Sequence, residues 1–216
     1  RYSKSDFLHE AARTIPGVYV PSLYDVSYNE DGTIKAYTPK YDDIPTKIMK
    51  RIVEDLDKAI FPDYAIMPYT EVVHDRIMLE VFRGCIRGCR FCQAGIIYRP
   101  VREKSPDVLN EQAKCIFENT GYEEISLSSL SISDYNELGG LVDGLKTWTD
   151  KKKVGLSLPS MRIDAFEAEI MEKVNGVRKT GLTFAPEAGT QRLRDVINKN
   201  LTEEEILGGC RGAFSK

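Results

Sequence analysis

Ile77-Met78-Leu79-Glu80-Val81-Phe82-Arg83-Gly84-Cys85-Ile86-Arg87-Gly88-Cys89-Arg90-Phe91-Cys92-Gln93-Ala94-Gly95 joins a short apolar run to a loop with three of the chain's five cysteines. Ile77–Val81 reads as a β-strand, and the loop after it has C-x3-C-x2-C spacing. A loop at the C-terminal end of a parallel strand lies where the active sites of α/β proteins gather. Gly84 and Gly88 let the backbone wrap tightly, and Gly95 supplies another permissive turn. Thiolates are soft donors suited to iron–sulfur clusters. Three donors leave one iron without a protein ligand, and a small molecule can chelate there. A structural zinc site wants four closed ligands, usually in paired C-x2-C knuckles, and only one such pair occurs. A bacterial ferredoxin run, C-x2-C-x2-C-x3-C-P, also differs. Cys115 lies in a helical pattern and Cys210 near the chain end, so both read as structural thiols.

Outward from this loop, strand and helix alternate. A helix is expected at about 106–119, a strand at Glu124–Leu127, and a helix capped by Ser133 or Asp134 running to Trp148. A strand follows at Val154–Leu158 and a helix from Asp164 to Val174. Val177–Phe184 reads as a fourth strand, followed by a helix from Thr190 to Ile197 and a last one from Thr202. Such alternation means parallel strands joined by crossover helices, hence an α/β fold. Four βα units cannot close a barrel, so the expectation is a truncated, partial (β/α) barrel over residues 76–216. Residues 1–75 are less regular and form a linker or hairpin segment, the exit of an upstream domain. In it Tyr24–Tyr28 and Thr33–Thr38 flank an Asn29-Glu30-Asp31-Gly32 turn signal. Ile48, Ile52, Leu56 and Ile60 recur four apart, which predicts a helix over Ile44–Ile60.

The 216 residues suffice for a substantial core, and 42% hydrophobic with 29% charged residues is ordinary for a globular protein. A net charge of −3 argues against bulk attraction to nucleic acid. No apolar run approaches a membrane span, and no signal peptide opens the chain. An odd cysteine count with three clustered thiols points to metal binding in a reducing compartment, the cytoplasm, rather than to a disulfide scaffold. The chain opens on Arg1, so it reads as an internal piece of a longer polypeptide.

The cysteine spacing, with aromatic Phe91 just before Cys92, resembles that of the radical S-adenosylmethionine (SAM) superfamily. The resemblance implies a [4Fe–4S] cluster on Cys85, Cys89 and Cys92, with SAM on the unique iron and Phe91 beside it. It implies reductive cleavage of SAM to a 5′-deoxyadenosyl radical, with electrons from a flavodoxin or ferredoxin. The family's Gly-Gly-Glu element, which meets the SAM amino group, is replaced here by Ser128 and Ser129. Ser160 and Arg162 stand where related enzymes contact the SAM ribose and carboxylate; the alternative is a surface Arg162 beside an Asp164 that caps the next helix. Glu187, in Phe184-Ala185-Pro186-Glu187-Ala188-Gly189-Thr190, is similar to an acidic element lining the SAM or substrate site of methylthiotransferase-like members, while Thr190 caps the next helix. The chain as a whole resembles the "Fe–S oxidoreductase" type of radical SAM protein with an upstream cobalamin-binding-like domain. The Asp-x-His-x-x-Gly element that grips cobalamin is absent, because Asp6 and His9 are three apart.

The run Arg83, Arg87, Arg90, Arg99, Arg102 and Lys104 is opposed locally only by Glu103. It reads either as a patch for an anionic substrate such as RNA, with Tyr98 as a stacking surface, or as charge that neutralises the cluster, a ligand carboxylate and helix acids. His9 and His74 are too separated to suggest a second metal. The leading expectation is therefore a radical SAM enzyme, an oxidoreductase or transferase of unresolved reaction. The alternatives are a non-catalytic iron–sulfur scaffold and a structural zinc module.

Overall fold

The computed structural model describes residues 2–62, 64–165, 168–179 and 181–215. The chain forms two compact units, Arg1–Val53 and Glu54–Lys216, so the division falls earlier than the change of sequence texture near residue 75.

In the first unit, Ser3 starts helix α1 (Lys4–Thr14) by accepting the Asp6 N–H at 3.1 Å. Strands β1 (Tyr24–Tyr28) and β2 (Ile34–Pro39) pair antiparallel, as expected. Gly32 at φ 81° and the Asp31 carboxylate, which accepts the Thr33 N–H at 2.9 Å, shape the turn between them. Ala12, Val20, Leu23, Tyr24 and Ile44 form a small core. The helix expected over Ile44–Ile60 is not formed; the segment runs through bends and turns. Its apolar residues serve different purposes: Ile44 is buried in the first unit's core, Leu56 is buried beyond the division, and Ile60 is fully exposed. The spacing of four was real, but no common face exists for a helix to bury.

The second unit opens with β3 (Ile77–Glu80), then β4 (Phe82–Arg83), the short helix α2 (Ala94–Ile97) and β5 (Arg102–Glu103), which pairs antiparallel with β4. Helix α3 (Pro106–Thr120), β6 (Glu124–Ser128), α4 (Leu138–Lys152), β7 (Gly155–Ser157), α5 (Ala168–Val174), α6 (Gln191–Val196) and α7 (Glu203–Phe214) follow. Strands β3, β6 and β7 form a parallel sheet in that order. The fold is thus α/β with a parallel sheet covered by helices. Ile125 and Leu127 of β6 have no exposure and meet Leu109 and Ala113 of α3 and Leu141, Val142 and Leu145 of α4 in one core. The spacing of these helical residues gives each helix a single buried stripe. Ser105 caps α3 at its N-terminus, Pro106 occupies its first turn, and Gly121 in the left-handed region ends it.

Three local expectations are corrected. Helix α4 starts at Leu138 after a 3-10 turn, and neither Ser133 nor Asp134 caps it; both side chains are engaged elsewhere, as described below. The helix expected from Asp164 is a 3-10 turn, Ile163–Ala165, followed by α5. No strand forms among the described residues of 177–184, although Leu182 and Phe184 pack against the core. The segment therefore follows the sheet through its side chains without a backbone ladder. Thr190 caps α6 as expected, and the last helix starts at Thr202, where the structure adds a capping box with Glu205.

Helix α7 packs on the Ile163–Ala165 turn through Gly209, where a Cβ would meet the Ile163 carbonyl at 2.8 Å and the Ile163 side chain closer still. Gly208, next to it, has nothing within 4 Å. Gly209→Ala should therefore destabilise by about 1–3 kcal/mol through overpacking. Gly208→Ala should be neutral or stabilise by up to about 1 kcal/mol through helix propensity. Denaturant unfolding of the two variants checks this, and equal effects would remove the packing account.

Candidate functional site

The cysteine loop is closed at its base by backbone pairing. Val81 donates to the Ser128 carbonyl at 2.9 Å and accepts from the Lys104 N–H at 3.0 Å, so β3, β6 and β5 meet where the loop departs. Gly84 follows at φ 97°, and a Cβ there would lie 2.8 Å from the Tyr98 carbonyl and 2.9 Å from the Pro100 carbonyl. Both neighbours are backbone, so only glycine fits. Within the loop the Cys92 N–H donates to the Cys89 carbonyl at 3.1 Å. The far side of the loop is held by the turn after α6: Arg90 N–H donates to the Ile197 carbonyl and the Asn198 side-chain amide to the Gly88 carbonyl, both at 2.9 Å. The Arg90 guanidinium also donates to the Val196 carbonyl.

Charge ties the loop to the strand ends. The Arg87 guanidinium, between Cys85 and Cys89 in sequence, forms a two-pronged pair with Asp134, its Nε 2.9 Å from Oδ2, and lies 3.8 Å from Asp164. Burial pushes the Asp134 carboxyl upward, but hydrogen bonding and attraction from Arg87 outweigh it and hold the group below its usual range. The same hydrogen bond raises Arg87. Arg162 grips Asp164 with Nε and Nη2, each at 2.9 Å. Its backbone N–H donates to the Ser133 hydroxyl at 3.1 Å, and Nη2 also reaches the Lys199 carbonyl at 3.3 Å. These bonds explain why Ser133 and Asp134 do not cap α4.

All three cysteines line one cavity of about 390 Å³, with Arg87, Phe91, Leu130, Ser131, Ser160, Arg162, Glu187 and Lys199 among its other walls. Of the residues singled out from sequence, Phe91, Ser160, Arg162 and Glu187 face this cavity beside Cys85, Cys89 and Cys92. Ser128 and Ser129 are not among its lining residues; Ser131, further along the same run, takes that place. Lys199 was not singled out either, because a lysine after a short helix carries no local signature. The left-handed backbone conformation is concentrated here. Ser160 (φ 62°) and Glu187 (φ 67°) line the cavity, and Asn198 (φ 55°) and Asn200 (φ 51°) flank Lys199. Non-glycine residues in this region are uncommon and gather at functional sites.

The donor set fits an iron–sulfur cluster. All five cysteines are free thiols. Among the described residues no three His, Cys, Asp or Glu side chains gather closely enough to enclose a single metal ion. The three thiols line one cavity, and soft thiolate donors of this number suit a four-iron cluster. The Ser131 hydroxyl lies in the buried part of the cavity wall and faces the Asp134 carboxylate, which it helps to keep ionised.

The basic run around the loop is largely engaged inside the protein. Arg83 pairs with Glu80, Arg87 with Asp134, and Arg90 and Arg102 donate to backbone carbonyls. Lys104 is buried, hydrogen-bonds Gln112 and lies over the Phe61 ring; burial lowers its pKa. Glu80, Asp134 and Asp164 supply the acids that the local sequence lacked.

Comparison with known proteins agrees with this chemistry. An uncharacterized protein of Methanocaldococcus jannaschii, MJ0966, is 32% identical over 76% of this chain and 37% of its own length. "Putative methylthiotransferase MJ0865" of the same organism is 24% identical over 62% of the chain and 31% of its own length. The chain thus spans about a third of the length of these curated relatives. The family model described as the Radical SAM superfamily matches residues 79–216, from the first parallel strand through α7. Proteins of this family bind a [4Fe–4S] cluster and SAM, and the three cysteines are present. With the loop, the cavity and the match in agreement, this chain belongs to the radical SAM superfamily.

Proposed function

We propose that this chain is the cluster-bearing core of an enzyme that cleaves SAM reductively to modify a further substrate. The observation that carries the reading is that Cys85, Cys89 and Cys92, on the loop after a parallel strand, all line one cavity. Cys85, Cys89 and Cys92 would hold the cluster, and a bound, reduced cluster would supply the one-electron reduction that cleaves SAM. The residues' part is to hold and to enclose. Gly84 sets the direction in which the loop leaves β3, and Arg87 anchors it to the ends of β6 and β7 through Asp134 and Asp164. Phe91 offers an apolar wall, and Ser131 and Ser160 offer hydroxyls to a polar ligand. Glu187 accepts hydrogen bonds from ligand ammonium or hydroxyl groups. Arg162 braces Asp164 rather than meeting ligand directly.

In this reading the parallel sheet is the opening part of a partial (β/α) barrel, with 177–184 beside its fourth position. The protein works in a reducing cytoplasm and receives electrons from a flavodoxin or ferredoxin. The relative named as a methylthiotransferase makes methylthio transfer the first reaction to test. RNA is the less favoured substrate, since the basic run is engaged within the chain.

Anaerobic reconstitution of the full-length protein with iron and sulfide, then dithionite and SAM, should release 5′-deoxyadenosine. A fully loaded protein that releases none, and whose EPR spectrum ignores SAM, would instead be a non-catalytic iron–sulfur scaffold. One equivalent of zinc without iron after oxygen-free purification would indicate the zinc module.

Single Cys85→Ala, Cys89→Ala and Cys92→Ala variants should each lose most bound iron, while Cys115→Ala and Cys210→Ala should keep it. Gly84→Ala should also lose iron while far-UV circular dichroism stays native, because its Cβ displaces the loop and not the core. Iron and sulfide analysis reads both results, and full iron content in Gly84→Ala would sink the account of the loop.

A further inference from the structure

Three side-chain cations line the cavity: Arg87, Arg162 and Lys199. The two arginines are committed. Arg87 is held by Asp134 and Arg162 by Asp164, each with two guanidinium nitrogens on one carboxylate. Bidentate pairs of this kind are costly to break. Lys199 differs. Its side chain is only 12% exposed, and the partner of its ammonium among the described residues is a single Glu187 oxygen at 3.3 Å, on a carboxylate that is 38% exposed.

The backbone that carries Lys199 is held on both sides. Its N–H donates to the Arg194 carbonyl at 2.9 Å, its carbonyl receives Arg162 Nη2, and left-handed Asn198 and Asn200 flank it. The Asn198 amide holds the Gly88 carbonyl, so the lysine's position is tied to that of the cysteine loop. An ammonium so placed, with one long and partly wet contact, can exchange its partner for an incoming anion at little cost.

We infer that Lys199, rather than Arg162, receives the carboxylate of SAM in this cavity. The inference rests on the proposed reading of the cavity as a SAM site and assigns one contact within it. Glu187 holds the ammonium in place before the ligand arrives and releases it on binding.

The test crosses the residue with the ligand's carboxylate. Dissociation constants of SAM and decarboxylated SAM are measured by equilibrium dialysis on the anaerobically reconstituted full-length protein. Any carboxylate contact to iron affects every variant alike, so the change in the ratio of the two constants isolates the residue. A charge-assisted contact predicts that Lys199→Met shrinks this ratio about tenfold or more, while Lys199→Arg keeps most of it. The double variant Glu187→Gln/Lys199→Met should stay as low as Lys199→Met. An unchanged ratio in Lys199→Met overturns the inference and leaves SAM binding intact. A wild-type ratio in the double variant also overturns it, because the loss would then come from an unmasked Glu187. If the loaded wild-type protein binds no SAM, the reading of the cavity itself falls, and this contact with it.

Discussion

The Arg87 guanidinium, between Asp134 and Asp164, is the bond on which the site depends. It is a long-range connection: the cysteine loop follows β3, Asp134 follows β6, and Asp164 follows β7. One side chain therefore ties together the segments that follow three neighbouring parallel strands, on the side of the sheet where those strands end. The Asp134 side chain is 8% exposed, and a carboxylate that dry is tolerated only because a guanidinium meets it on two prongs. Removing Arg87 would leave the buried Asp134 carboxylate without its guanidinium, which costs more than the pair contributes. The acids that face Arg87 thus hold the loop as much as they neutralise it.

A second constraint comes from the backbone. The loop enters through Gly84, where there is no room for a Cβ, and its far side rests on the turn around Asn198. Left-handed residues recur at Ser160, Glu187, Asn198 and Asn200 around the same cavity. Such conformations persist only where surrounding contacts over-determine them. Here those contacts are hydrogen bonds of Arg90, Arg162 and Asn198 to main-chain carbonyls. Main-chain segments that border the cavity are thus pinned by side chains from elsewhere in the fold.

Much of the second unit was legible in order of residues. The alternation of short apolar runs with helical segments located β3, β6 and β7 and the helices α3, α6 and α7. These features rest on contacts between near neighbours, which a linear reading captures. The exceptions share a cause. Ile44–Ile60 has helical spacing, but its apolar residues do not bury on one face. Val177–Phe184 has strand composition, yet its described residues make side-chain contacts without a ladder. Asp134 has the chemistry of a helix cap but is taken by Arg87. In each case a distant partner outbid a local preference.

The same division runs through the site. Sequence alone pointed to the candidate donors, because three thiols within eight residues, with a glycine among them, constrain a loop through short-range geometry. It also singled out Phe91, Ser160, Arg162 and Glu187, which line the same cavity. Only the tertiary structure decided that Ser131 rather than Ser128 or Ser129 faces that cavity, and that Arg162 is spent on Asp164 while Lys199 keeps a loose partner. Which charges cancel and which remain available depends on separations between residues far apart in the chain. Those separations exist only once the segments that follow the strands are brought to one side of the sheet.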